Sequence, residues 1–389
     1  MDGPVTSSLL RFFLDVPDPR AGNISHLLTD IVSLAVLATL CGAQGWTDVE
    51  FWAQNHAEWL GTFLSLRAGI PSHDTFSHVF AAIDPDAFER CFMTWTRSLV
   101  ESSAQRPVSQ QFVAIDGKTL RMSFEHAWSR TPIHMVSAFV ADNQLILGQV
   151  KVDCKANETV AIPKLIDLLN LKGATVTIDA MGCQKEIARK LREEKKAHYV
   201  LALKDNQPSL HAAVIKTFTE AQAEKFVGWT HDYTEEVDAG HGRIETRKLW
   251  VTTNVKHIAE ARQWTGLASI VMAESTRDVA GKGKTTEVRY FICSYKKPDA
   301  KRAARAIRDH WGIENSQHHV LDATMNEDAC RIRMGHGAQN FARLRRVALN
   351  QLRKVTVRNA RGTDMKASIR AKLKLCGWNR NFLLSALLA

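Results

Sequence analysis

The 389-residue sequence has seven cysteines, at 41, 91, 154, 183, 293, 330 and 376, and no two of them form a CxxC pair. Structural zinc sites and small disulfide scaffolds are built from close pairs. Both classes are therefore excluded, and the thiols are expected to be buried or incidental in a reducing compartment. A long apolar run is also missing. The longest, Ile31–Ala43, has thirteen residues and follows Asp30, whereas a membrane-spanning helix needs about 20. Near the N-terminus Asp2 precedes any positive charge and no basic-then-apolar leader pattern appears. A cytoplasmic protein without membrane contact is expected.

What the chain has in surplus is positive charge. Lys and Arg number 51 against 41 Asp and Glu, a formal +10. From Lys296 to Lys374 there are 19 basic and seven acidic residues, a local +12, so the rest sums to about −2 (10 − 12). Charge gathered into one segment is the footprint of a nucleic-acid surface. The hydrophobic share of 45% excludes general disorder, and the length suits two or three domains.

Residues 1–105 read as a helical unit. Asp30 is placed to cap an Ile31–Leu40 helix and Asp48 to cap Val49–Leu64, with Trp52 and Trp59 one heptad apart. Ile70-Pro71-Ser72-His73-Asp74-Thr75-Phe76 is a turn entering a capped helix, and Asp84-Pro85-Asp86 opens another. Such a pair fits either a DNA-binding helix-turn-helix or a plain helical bundle. Glu101–Gln110 is polar and turn-prone, the best linker candidate.

Beyond it the period changes. Gln111–Ile115, Ile133–Val140, Gln144–Val152, Ala174–Ile178 and His198–Leu203 are strand-like, with helices expected over Ala161–Leu169 and Cys183–Glu193. That order predicts a mixed α/β sheet covered by helices. From about Gly228 to Tyr295 the chain reads as β-rich, with strands near Arg247–Thr253, Ala268–Glu274 and Glu287–Ser294. Residues 300–355 read as helical, broken near Arg331–Gly337, and 356–389 as a basic tail.

Two aspartates share one context. Asp116 and Asp179 each end an apolar strand and are followed within three residues by glycine. Either alone also fits a turn cap. Together, carboxylates at the carboxyl ends of neighbouring strands converge in the crevice where open α/β sheets bind ligands. They repel unless a cation lies between them, and a hard divalent ion suits all-oxygen ligands. Glu314, in Arg308-Asp309-His310-Trp311-Gly312-Ile313-Glu314-Asn315, is the candidate third acid, because a lone carboxylate among apolar residues is costly to bury. Two ions about 4 Å apart would stabilise the attacking and leaving oxygens of a phosphodiester displacement. Gly281-Lys282-Gly283-Lys284-Thr285 lacks the first glycine of a P-loop, having Asp278 there. Asn23-Ile24-Ser25 and Asn157-Glu158-Thr159 are sequons without meaning outside a secretory route, and Cys183, although it opens a helix, is expected to be a buried thiol.

At this point the sequence resembles the DDE transposases of bacterial insertion sequences, on the H-repeat-associated branch. The resemblance rests on Ala114-Ile115-Asp116-Gly117-Lys118-Thr119-Leu120, Thr177-Ile178-Asp179-Ala180-Met181-Gly182-Cys183-Gln184-Lys185, Leu201-Ala202-Leu203-Lys204-Asp205-Asn206-Gln207, His241-Gly242-Arg243-Ile244-Glu245 and His310-Trp311-Gly312-Ile313-Glu314-Asn315. It implies an RNase H-like mixed-sheet catalytic core over 111–207 and 300–355. It also implies a β-rich insertion over 208–299 and a helical N-terminal domain. It makes Asp116, Asp179 and Glu314 the catalytic and metal-binding triad. The implied cofactor is Mg²⁺, with Mn²⁺ as a substitute. The implied partners are double-stranded DNA, namely the element's terminal inverted repeats and target DNA, and a second copy of the chain in a synaptic complex. A nucleoid-associated location follows. The wider superfamily places a Tyr, an Arg and a Lys around its glutamate; here those positions are Ile307, His310 and Leu321, so its strand-handling is not carried over.

Phosphate contacts are expected from Lys118, Lys204, Arg331 and Arg333, with Arg308 and His318 as substitutes for the missing superfamily residues; His318, four residues after Glu314 on the same helical face, is expected either to contact DNA or to support the metal ligands, not to be one. Asp322, Glu327 and Asp328 are expected to be surface or capping acids. Arg345 and Arg346 lie off the apolar stripe of a helix over Gln339–Lys354 and are expected to face outward onto DNA backbone. The rival readings are a DNA-binding protein without chemistry and an RNase H-like nuclease without strand transfer.

Overall fold

The structure, a computed structural model, describes residues 8–22, 24–103, 110–123, 132–152, 158–240, 242–279, 281 and 283–389. The expected linker lies largely outside them, since 104–109 are not described.

The N-terminal region is helical: α1 (Ser8–Phe12), α2 (Leu28–Leu40), α3 (Trp46–Asn55), α4 (Ala57–Leu60), α5 (His73–Ala82) and α6 (Pro85–Ser103). The Ser72 side chain caps α5 by accepting from the Thr75 amide, and Asp84 accepts from the Ala87 amide at the start of α6. Asp30 is not a cap. It lies inside α2, buried, and accepts the backbone amide of Leu66 at 2.9 Å, tying that loop to the helix. The expected Val49–Leu64 helix is broken at His56 into α3 and α4. Helices α5 and α6 bury Phe76, Phe80, Phe88, Phe92 and Trp95 in the main core, the packing of a helical bundle.

The sheet has nine strands among the described residues: β1 (Phe112–Leu120), β2 (Ile133–Val140), β3 (Leu145–Val152), β4 (Thr175–Ile178), β5 (His198–Leu203), β6 (His231–Gly240), β7 (Arg243–Thr252), β8 (Ser269–Val279) and β9 (Gly283–Cys293). Their order is β3-β2-β1-β4-β5-β9-β8-β7-β6. Strands β1, β4 and β5 are parallel, and the other pairings are antiparallel. The three central strands are buried at most positions, as strands covered on both faces must be. All five strands expected for the first part are present. The β-rich segment continues the same sheet through β5–β9 pairing, and it contains a strand, β6, that the sequence reading missed.

Helices α7 (Glu158–Leu168), α8 (Lys185–Arg189) and α9 (Pro208–Ala223) follow β3, β4 and β5. After the sheet come α10 (Ala300–Gly312), capped by Asp299, a π-helical turn over Ile313–His318, α11 (His319–Ala323) and α12 (Gly337–Lys354). The expected tail folds. A two-stranded β10 (Val357–Arg358) and β11 (Asp364–Met365) leads to α13 (Ile369–Trp378) and α14 (Arg380–Leu388), which bury Leu373, Cys376, Leu383 and Leu387.

Helix α12 sits at the centre. It packs on α2, α5, α6, β3, α13 and α14, and every residue from Gly337 to Leu352 is buried. No face of it is left for solvent. The outward placement expected for Arg345 and Arg346 is therefore wrong: they are 1% and 0% exposed.

Candidate active site

Strand β1 runs through the site. Side chains alternate along a strand, so Asp116 and Lys118 share one face and Gly117 and Thr119 the other. The parallel register sets Ile115 beside Ile178. Asp116 and Asp179, the next residues in each chain segment, therefore leave adjacent positions; Asp179 follows the end of β4 as expected, whereas Asp116 does not end its strand, because pairing with β2 carries β1 on to Leu120. Asp179 accepts the Gly182 amide at 3.2 Å. The loop behind it is held by the β5 end, where Asn206 and Gln207 donate to the Cys183 carbonyl.

Asp116 is largely buried. Burial pushes its carboxyl up to about 7; the Gly117 amide pulls it down, while the charges of Asp179, Glu314 and Glu158 push it further up. Three other carboxylates thus act on Asp116. Glu314 sits on the π-helical turn and is exposed. The premise that it is buried among apolar residues is incorrect; what ties it to the site is its charge on Asp116. Widened π turns recur at functional sites.

His318 comes from the same turn. Its Nδ1 lies 3.6 Å from Asp116 Oδ2, and burial, with Arg346 and Lys118 adding to it, pushes its pKa down to about 3. The ring is neutral and faces Asp116, the placement of a group supporting the acids from behind and not that of an exposed phosphate contact. His310, four residues before Glu314, meets Thr177 Oγ1 at 3.1 Å through Nδ1 and is pushed down to about 4 by burial.

Lys118 is also withdrawn from DNA. It is 7% exposed, with Nζ 2.6 Å from Asp322, 2.8 Å from Asp328 and 3.6 Å from Glu327. Glu327 in turn pairs with Arg346 at 2.6 Å. These acids are therefore partners of buried cations, not surface or capping groups. Arg343 pairs with Glu89, and Arg345 lies over the Phe341 ring with its centre 4.4 Å away. Buried charge persists only where it is paired, which is why this basic helix can lie inside.

Other expected contacts stay outside. Lys204 is exposed at the end of β5, next to the β4 end that carries Asp179. Arg308 is exposed and paired with Glu236 of β6. Arg331 and Arg333 line a cleft of about 660 Å³ with Gln44, Trp46 and His73, and Arg333 donates to the Met122 carbonyl at 3.3 Å. The Cys183 thiol, pushed up to about 12 by burial, is the inert group expected.

On the opposite face of β1, sequence reading missed Glu158 and His134, which lie 2.5 Å apart and are almost wholly buried. Their signal, an acid opening a helix, had been seen only as part of a sequon. Among the described residues no group of three or more His, Cys, Asp or Glu side chains is placed to hold a metal ion. Asp116 nonetheless feels three other carboxylates, with the His318 ring beside it, and mutually repulsive carboxylates are the chemistry that a hard divalent cation relieves. No helix among the described residues is long and apolar enough to cross a membrane.

The family described as Transposase DDE domain matches residues 108–351, and the one described as DDE_Tnp_1-associated matches 10–96. The chain is 40% identical to "Putative transposase YncI" of Escherichia coli O157:H7 over 382 residues, covering 97% of this chain and 93% of the relative. It is 36% identical to "H repeat-associated putative transposase YhhI" of Escherichia coli strain K12 over 385 residues, 97% of each chain. A shorter likeness, 39% over 72 residues, is to "Inactive transposase YbfQ" of the same strain. The chain belongs to the DDE transposase family, with H repeat-associated transposases among its relatives.

Proposed function

We propose that this transposase cleaves the ends of its insertion element and joins them to target DNA, with Asp116, Asp179 and Glu314 as its acidic triad. The observation that carries the reading is the convergence of charge on Asp116, whose carboxyl is pushed up to about 7 by burial and by Asp179, Glu314 and Glu158. Strand order β3-β2-β1-β4-β5, with β1, β4 and β5 parallel, supports an RNase H-like core.

Asp116 and Asp179 would hold a divalent ion and Glu314 would complete the set, Mg²⁺ or Mn²⁺ suiting the oxygen donors. When bound, such ions supply Lewis-acid stabilisation of the attacking and leaving oxygens in phosphodiester displacement. The remaining work falls to the chain. His318, neutral and 3.6 Å from Asp116, orients that carboxylate without competing for it. Lys204 and Arg308 flank the acids and engage backbone phosphate of double-stranded DNA, while Arg331 and Arg333 extend the contact into their cleft. Two chains would hold the two element ends in one synaptic complex, in the cytoplasm on the nucleoid.

The test uses labelled duplexes carrying an element end, with and without Mg²⁺. Cleavage plus joining supports transposition. Cleavage alone identifies a nuclease without strand transfer, and binding alone a DNA-binding protein without chemistry.

A further inference from the structure

We propose that Glu158 and His134 are a positioning pair for Asp116, holding the Asp116–Gly117 segment of β1 from the face opposite the acid pocket; this rests on the transposase reading above.

The evidence is local crowding around one residue. A Cβ placed on Gly117 would run into His134 Nε2 and lie 2.5 Å from Glu158 Oε1. Glycine is therefore required at 117 by close approach, not by a special backbone angle. The pair presses directly on the main chain of the residue after Asp116. The ring of His134 is held at Nδ1, 2.9 Å from Thr119 Oγ1, and its Nε2 packs 2.5 Å from Glu158 Oε1 without making a hydrogen bond. Thr119 and His134 are also register partners, so the contact is locked to the β1–β2 ladder. Glu158 is 4% exposed and His134 2%. A carboxylate buried to that degree is costly unless something compensates it.

The consequence is geometric. Catalytic groups must be held within about 0.5 Å of their working position, and a shift near 1 Å can cost about a hundredfold in rate. Glu158 and His134 do not touch the reacting atoms; they fix the strand from which Asp116 projects. Loosening that strand misplaces the carboxylate and weakens its hold on a divalent ion.

The experiment uses the full-length chain, with Glu158→Gln, His134→Gln and Gly117→Ala compared with wild type. Mn²⁺ binding is measured by calorimetry, which needs no catalysis, and the Mg²⁺ concentration for half-maximal cleavage of an end duplex is measured alongside. Only variants that keep the wild-type far-ultraviolet circular dichroism are scored, so the loss of any one leaves the others. The expected result is Mn²⁺ affinity weakened tenfold or more, a matching rise in the Mg²⁺ requirement, and end binding unchanged. Folded variants with wild-type Mn²⁺ affinity would overturn the proposal and leave the pair as core packing. If wild type cleaves while the variants match it, the pair fails and the transposase reading stands. If wild type does not cleave yet loses Mn²⁺ affinity on Glu158→Gln, the reading fails and the pair stands. A wild type that binds no Mn²⁺ rejects both.

Discussion

Replacing Glu327 by Gln keeps its shape and removes its charge, at the point where two buried cations meet. Arg346, 0% exposed, lies 2.6 Å from Glu327, and Lys118, 7% exposed, lies 3.6 Å from it. Lys118 retains Asp322 and Asp328; Arg346 keeps only neutral acceptors such as the Ala342 carbonyl at 2.9 Å. Leaving one buried cation uncompensated costs about 3–5 kcal/mol. At about 2 °C per kcal/mol for a chain of this size, the midpoint should fall by roughly 6–10 °C. Thermal and urea unfolding followed by circular dichroism measure it. Burial alone would raise the Glu327 carboxyl, but Arg346 and Lys118 hold it below the usual carboxylate range. A depressed acid contributes stability above its unfolded pKa, near 4.3, and loses it as pH falls through the folded value. The deficit of Glu327→Gln should therefore be full at neutral pH and shrink under acid. Replacing both partners, as Glu327→Leu with Arg346→Met, should recover most of the loss, since apolar substitutes for a buried pair are often neutral. A deficit below about 1 kcal/mol, or a double variant no better than the single, would refute the reasoning.

Three further outcomes follow from the same placement of charge. His310, buried with a pKa near 4, takes up its proton later than in the unfolded chain, so it destabilises as pH falls from about 6.5 to 4. His310→Gln should remove up to about 3 kcal/mol of that acid-side loss, seen in midpoints measured across pH. Neutralising Arg331 and Arg333 to Gln should flatten the slope of log DNA affinity against log salt by about two units, with specific and random DNA affected alike. Neutralising Arg345 and Arg346 should instead reduce the folded fraction and leave the slope of the remainder unchanged.

The sheet was legible because each central strand opens on an apolar run, and because Asp116 and Asp179 each follow such a run, although β1 continues beyond Asp116 to Leu120. Parallel pairing then puts them side by side. Strand β6 was not legible: His231-Asp232-Tyr233-Thr234-Glu235-Glu236-Val237 is polar because it forms the sheet's exposed edge. The fate of the arginines in α12 was hidden for another reason. Arg343 is buried because of Glu89, 254 residues away in sequence, and no local pattern announces such a partner. Local reading saw five positive charges without an acid and inferred a phosphate surface. The acids were supplied by the fold. His134 and Glu158 were hidden likewise, since Gly117 looks like a turn glycine until β2 and α7 close on it.

The central claim is that Asp116, Asp179 and Glu314 carry the chemistry and not the binding of DNA. Asp116→Asn, Asp179→Asn and Glu314→Gln keep side-chain size and remove one charge each. End binding by gel shift and cleavage of a labelled end duplex in Mg²⁺ should be measured on the same preparations. The account predicts cleavage and joining by wild type, wild-type binding by all three variants, and cleavage reduced by at least about a thousandfold in each, the scale of losing one group that acts only in the transition state. Cleavage by Asp179→Asn or Glu314→Gln at the wild-type rate would contradict it.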